Sequence, residues 1–133
     1  MPCESKQTPA HPKNASGFKR LPRATYLSLK GFRAVWQFES GFRQEVAVSL
    51  ILLIASVILA QSILQWLLLV VPLFIVLITE ILNSAIEAVA DAITLDDHPL
   101  IGRAKDMGSA AVFLSLLLVV LVWTSMIYYN YFG

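Results

Sequence analysis

The chain has 133 residues, of which 57% are hydrophobic and 14% charged, and its mean hydropathy is +0.70. Soluble domains carry about 25% charged residues, so a soluble enzyme is excluded and a single integral membrane domain is expected. The formal net charge of +1 hides an asymmetry: eight of the ten Lys and Arg residues precede Val46, and the other two are Arg103 and Lys105.

The lone cysteine, Cys3, excludes a disulfide framework and a cysteine metal site. No charged start followed by a small-residue cleavage motif is present, so no secretory leader is expected. Residues 1–16 are polar, contain Pro2, Pro9 and Pro12, and read as a disordered tail. The working domain is expected over 17–133. Pro22 suits the first turn of a helix, predicted over about 22–39. Arg23, Lys30 and Arg33 share one face of it, and Leu29, Phe32, Val35 and Trp36 the other. This is the pattern of a helix lying in the membrane interface, anchored by Trp36, Phe38 and Phe42. Gly41 is expected near a bend into the first span, where Glu39, Arg43, Gln44 and Glu45 gather.

No charge occurs from Val46 to Thr79. As one helix this run would extend about 50 Å against about 30 Å of hydrocarbon, so it must turn back, and Gln61-Ser62 is the place. The spans are predicted over about 44–60 and 63–91, the second with Trp66 at its interface and Pro72 as a mild kink. The second span ends in Thr79-Glu80-Ile-Leu-Asn83-Ser84-Ala-Ile-Glu87-Ala-Val-Ala-Asp91. At 100° per residue Glu80, Asn83, Ser84, Glu87 and Asp91 share about a third of the helical circumference. Carboxylates at a bilayer edge mark function by default, although a helix end leaving the lipid would also carry them. Residues 92–102 are predicted as a polar loop, and a third span over about 105–129 ends in an aromatic belt of Trp123, Tyr128, Tyr129 and Tyr131. Gly108, Ser109, Ala110 and Ala111 would let another helix approach closely.

The positive-inside rule places the N-terminal segment and the 92–102 loop in the cytoplasm and the C-terminus outside. Three carboxylates, two cations and an amide at that face suit a magnesium-bound polyphosphate. No Walker A or GxGxxG motif is present. From chemistry alone, a proton- or cation-coupled transporter with Glu80 as carrier, or a structural membrane subunit, stands beside phosphotransfer.

Glu80-Ile-Leu-Asn-Ser-Ala-Ile-Glu87-Ala, followed by Gly102-Arg-Ala-Lys-Asp-Met-Gly-Ser-Ala-Ala111, resembles the prokaryotic diacylglycerol kinase family. Phe42-Arg-Gln-Glu45 and Lys30-Gly-Phe-Arg-Ala-Val-Trp36 match its N-terminal half, so the resemblance covers 17–133. It implies an all-α membrane protein: a surface helix plus three transmembrane helices, assembled as a homotrimer with shared sites in the bacterial inner membrane. It implies transfer of the ATP γ-phosphate to a lipid hydroxyl, with Mg²⁺ as cofactor, membrane lipids as surroundings and no nucleic-acid partner. By the same resemblance Glu80 is the general base, and Glu39 and Glu87 are the magnesium ligands. Arg20, Leu27, Asn83, Asp96, His98, Lys105 and Asp106 complete the nucleotide side. Arg33, Trp36, Gln44, Glu45, Trp66, Ser109 and Trp123 stand with Glu80 on the lipid side. Leu27 replaces a family Tyr, and Asp96-Asp97-His98-Pro99 replaces a longer acidic-aromatic loop. The motif forms are closer to the diacylglycerol branch than to the undecaprenol kinases of the same fold.

Overall fold

The computed structural model describes residues 20–133; the expected tail over 1–16 and the side chain of Arg20 lie outside the described residues. Four helices follow in order: α1 Arg20–Phe38, α2 Ser40–Leu59, α3 Ile63–Ile93 and α4 Pro99–Phe132. Among the described residues there is no strand. The last three are long and apolar enough to cross a membrane; this is an all-α membrane protein.

The chain falls into two compact units, one up to Arg33 and one from Ala34 onward. In the first, α1 turns its hydroxyls back on its own backbone: Thr25 Oγ1 donates to the Leu21 carbonyl at 2.9 Å and Ser28 Oγ to that of Ala24 at 3.0 Å. The Lys30 ammonium lies 5.6 Å from the Tyr26 ring centroid, within cation–π range.

In the second unit α3 is the middle element, packed against α2 on one side and α4 on the other. Leu69, Leu73 and Val76 of α3 meet Val119, Trp123 and Met126 of α4 in a buried cluster. Both triplets have i, i+4, i+7 spacing, so two antiparallel helices present matching apolar seams. Leu52, Leu53, Ala55, Leu59 and Ala60 pack on the cluster from the α2 side. Ser56, fully buried, donates Oγ to the Leu53 carbonyl at 2.7 Å, which satisfies its hydroxyl inside the helix.

Pro72 is buried in the interior of α3. It cannot supply the donor that the Leu68 carbonyl needs, and its ring crowds that turn. One residue on, the Leu69 carbonyl accepts from Trp123 Nε1 at 3.2 Å. A neighbouring helix thus supplies a donor where proline weakens the ladder. Trp123 is therefore a core residue, 8% exposed, and not the interfacial aromatic expected from its place near the end of an apolar run.

The turn between α2 and α3 falls at Gln61-Ser62. Ser62 caps α3 by accepting from Gln65 N at 3.3 Å. Gln65 Oε1 accepts from Gln61 N at 2.8 Å, Gln65 Nε2 donates to Asn130 Oδ1 at 3.1 Å, and Asn130 Nδ2 donates to the Leu59 carbonyl at 2.9 Å. One polar clasp joins the ends of α2, α3 and α4. At the other end the structure shortens the expected 92–102 loop: α3 runs to Ile93 and α4 begins at Pro99, not near 105. His98 caps that start, its Nδ1 accepting from Leu100 N at 3.3 Å, and proline at the first helical position costs no hydrogen bond.

Candidate active site

The break between α1 and α2 is a single extended residue, Glu39, at φ −108° and ψ 110°. Gly41 stands two residues on, inside the first turn of α2, where its lack of a side chain matters more than its backbone freedom. A Cβ there would lie 2.8 Å from Glu80 Oε1, so the glycine makes room for the Glu80 carboxylate between α3 and α2. Glu80 is close enough to Glu39 and Glu87 to feel their charges, and Glu45 feels that of Glu80. The α1–α2 corner, α2 and α3 thus bring four carboxylates toward one another. Glu45 Oε2 is buried with no hydrogen-bond partner among the described residues. Behind Glu80, Ser84 is buried and donates Oγ to the Glu80 carbonyl at 2.9 Å.

On the other flank of α3, Asn83 Nδ2 donates to Glu87 Oε1 at 2.9 Å. Its amide oxygen is turned to α4, against Gly108. Lys105 of α4 pairs with Asp91 of α3 and also lies within electrostatic reach of Glu87. Glu39, Glu45, Glu80, Asn83, Glu87 and Lys105 therefore gather as a polar strip at the same end of α2, α3 and α4.

Asp106 and Ser109 continue α4 beside Lys105, both exposed, and Gln44 is exposed on α2. Trp36 meets Phe42 edge to face, with ring centroids 6.5 Å apart, and Arg43 Nη1 donates to the Trp36 carbonyl at 2.8 Å. These contacts fasten the α1–α2 corner next to Glu39. Asp96 and His98 line a cavity of about 520 Å³ with Asp91, Thr94 and Lys105. Leu27 and Arg33 are exposed on α1, within the unit that ends at Arg33. Two expected lipid-side residues are not brought to this strip. Trp66 and Trp123 sit toward the clasp, where Trp123 binds Leu69, eleven residues or about 16 Å before Glu80 along α3.

Gly41 as a gap for Glu80 has no sequence signal beyond a small residue near two carboxylates. Gly108 was visible as a close-approach position, though not its partner Asn83. Among the described residues no three of His, Cys, Asp and Glu converge to hold a metal ion. A divalent cation here would need oxygens from a substrate to complete its shell.

The family model for prokaryotic diacylglycerol kinase matches residues 26–127. Diacylglycerol kinase of Escherichia coli strain K12 is 46% identical over 121 residues, covering 90% of this chain and 98% of that relative. The Helicobacter pylori enzyme of the same name (strain 26695) is 40% identical over 112 residues, 84% of this chain and 88% of the relative. That of Pseudomonas aeruginosa is 39% identical over 120 residues, 90% and 98% respectively.

Proposed function

The chain belongs to the prokaryotic diacylglycerol kinase family, and from that premise we propose that it transfers the γ-phosphoryl group of ATP to 1,2-diacylglycerol, giving phosphatidic acid and ADP. Membership removes the transporter and structural-subunit readings. The observation that carries the reaction is the polar strip from Glu45 through Glu80, Asn83 and Glu87 to Lys105, toward the C-terminal end of α3. Glu80 lies 17 residues into α3, about 26 Å along its axis. That is close to the far edge of a hydrocarbon layer of about 30 Å, where a diacylglycerol hydroxyl resides.

Glu80 acts as general base. Its carboxylate takes the hydroxyl proton as the lipid oxygen bonds to the γ-phosphorus and the bond to the β-bridging oxygen breaks. Glu39 and Glu87 would hold Mg²⁺, and their chemistry fits: magnesium takes one or two carboxylates and fills its octahedron with phosphate oxygens and water. Bound there, the ion would supply positive charge to offset that of the polyphosphate. Asn83 holds Glu87, and Lys105, braced by Asp91, balances the phosphate charge, with Asp106 beside it. Asp96 and His98 would serve the nucleotide, and Trp36, Gln44, Glu45 and Ser109 the lipid; Arg20, Leu27 and Arg33 are assigned by the family resemblance alone. The working unit is a homotrimer with sites shared between subunits, in the bacterial inner membrane with the site facing the cytoplasm.

The test is purified protein in mixed micelles with γ-labelled ATP, offered diacylglycerol and undecaprenol side by side. Label should enter phosphatidic acid only when Mg²⁺ is present. Label in undecaprenyl phosphate instead would reassign the acceptor, and no labelled lipid at all would sink the reading.

A further inference from the structure

Asn83 carries a cost that its place in the site does not explain: its Oδ1 is buried and has no hydrogen-bond partner among the described residues. Buried polar atoms are nearly always paired, and an orphan needs a reason. The nitrogen of the same amide supplies it. Nδ2 donates to Glu87 Oε1 at 2.9 Å; turning the amide over would set Oδ1 against that carboxylate, acceptor against acceptor. The orientation has one solution, and it points the oxygen at α4.

There the oxygen meets the backbone of Gly108, itself a buried residue. A Cβ at that position would collide with Asn83 Oδ1, and it would lie 3.3 Å from Asn83 Cγ and 3.7 Å from Ile86 Cδ1. The glycine Cα–H offers the oxygen a weak contact that no side chain would leave open. The amide cannot step aside without releasing Glu87. Gly41 differs in this respect, because the group its Cβ would meet is the free end of the Glu80 carboxyl, 2.8 Å to Oε1 and 3.9 Å to Cδ.

We propose that Gly108 is a positioning residue: by admitting the Asn83 amide against its backbone it aims the Glu87 carboxylate, and so sets the affinity of the site for a divalent cation with its nucleotide. This rests on the reading of Glu87 as a magnesium ligand. The packing of α4 on α3 then reaches the metal through one amide, leaving the second Glu87 oxygen free for the ion.

The experiment uses the purified full-length protein with Mn²⁺ as a paramagnetic probe and a non-hydrolysable ATP analogue, reading bound Mn²⁺ by EPR. Gly108→Ala and Asn83→Ser should each weaken Mn²⁺ binding by about tenfold to a hundredfold, the usual effect of losing the group that orients a metal ligand. The double variant should bind no more weakly than Asn83→Ser alone, since both act through one hydrogen bond. The serine also relieves the collision. Thermal stability of the double variant should therefore return to that of Asn83→Ser while Mn²⁺ affinity stays low, a split that a packing role alone would not give. In turnover, Gly108→Ala should raise the magnesium KM and leave kcat at saturating magnesium largely intact. If Gly108→Ala alone does not fold, the comparison of Asn83→Ser with the double variant still decides: a further drop in Mn²⁺ affinity overturns the proposal. Unchanged affinity in Gly108→Ala, with Glu87→Gln weakened, overturns it alone. Unchanged affinity in Glu87→Gln overturns the magnesium reading, and the proposal with it.

Discussion

Glu80 and Glu87 are the same residue type on nearly the same face of α3, seven positions or about 10 Å apart along the axis. Their neighbours separate them. Glu80 is set between α3 and α2 over Gly41, whereas Glu87 is held by Asn83 and lies within reach of Lys105. A base must meet the hydroxyl of a lipid that stays in the bilayer, and a metal ligand must meet an ion that arrives from water. Glu80→Gln is expected to abolish phosphoryl transfer while Mg–ATP affinity stays within a few-fold of wild type. Glu87→Gln is expected to weaken Mg–ATP binding itself, with partial recovery at raised magnesium. Nucleotide affinity and turnover measured on both variants check this, and the opposite pattern reverses the assignment. Gly41→Leu should behave like a mild Glu80 variant, lowering kcat more than it raises the magnesium KM. The larger side chain displaces the carboxylate, and nothing in that contact touches Glu87.

At the scale of elements, the two ends of the α3–α4 pair do different work. The Gln65–Asn130 clasp ties three helix ends together at one end, and the polar strip occupies the other. Asn130→Ala leaves the Leu59 carbonyl and Gln65 Nε2 unpaired in a half-buried setting, a loss of about 1–3 kcal/mol. Gln65 stands 15 residues, about 22 Å, from Glu80 along α3. Thermal inactivation in detergent should therefore come at lower temperature, with kcat at permissive temperature unchanged; a kcat defect equal to that of a site variant would contradict the separation. The turn at Gln61-Ser62 was legible because a run of that length cannot cross once and holds only one polar break. The face of α3 was legible from its 3.6-residue period. That Glu80 turns to α2 and Asn83 to α4 was not, because a single-helix period says nothing about which neighbours flank it. Trp123 read as interfacial for the same reason: its partner, a carbonyl next to Pro72, lies 54 positions away. The early start of α4 was hidden by Asp96-Asp97-His98-Pro99, which spells a loop until the histidine ring is seen capping the helix that the proline opens.

For the whole molecule, helix lengths set the arrangement of charge. α2, with 20 residues, is about 30 Å long, whereas α3, with 31, and α4, with 34, are about 46 Å and 51 Å. A hydrocarbon layer of about 30 Å covers α2 and leaves more than 15 Å of the α3–α4 pair outside. Glu87, Asp91, Arg103, Lys105 and Asp106 all lie on that protruding part, at the Thr94–His98 connection, while no Lys, Arg, Asp or Glu occurs after Asp106. Lys and Arg near span ends are retained on the cytoplasmic side, so we propose that both the basic N-terminal segment and the 94–98 connection face the cytoplasm, and three crossings would then put the C-terminus outside. ATP is cytoplasmic, so the proposed reaction demands this same orientation. A reporter active only in the periplasm should work when fused after Phe132 and fail when fused at Thr94, and a reporter active only in the cytoplasm should do the reverse. The inverted result would strand the Glu80–Glu87 strip on the face that ATP does not reach, and the kinase mechanism built on that strip could not operate.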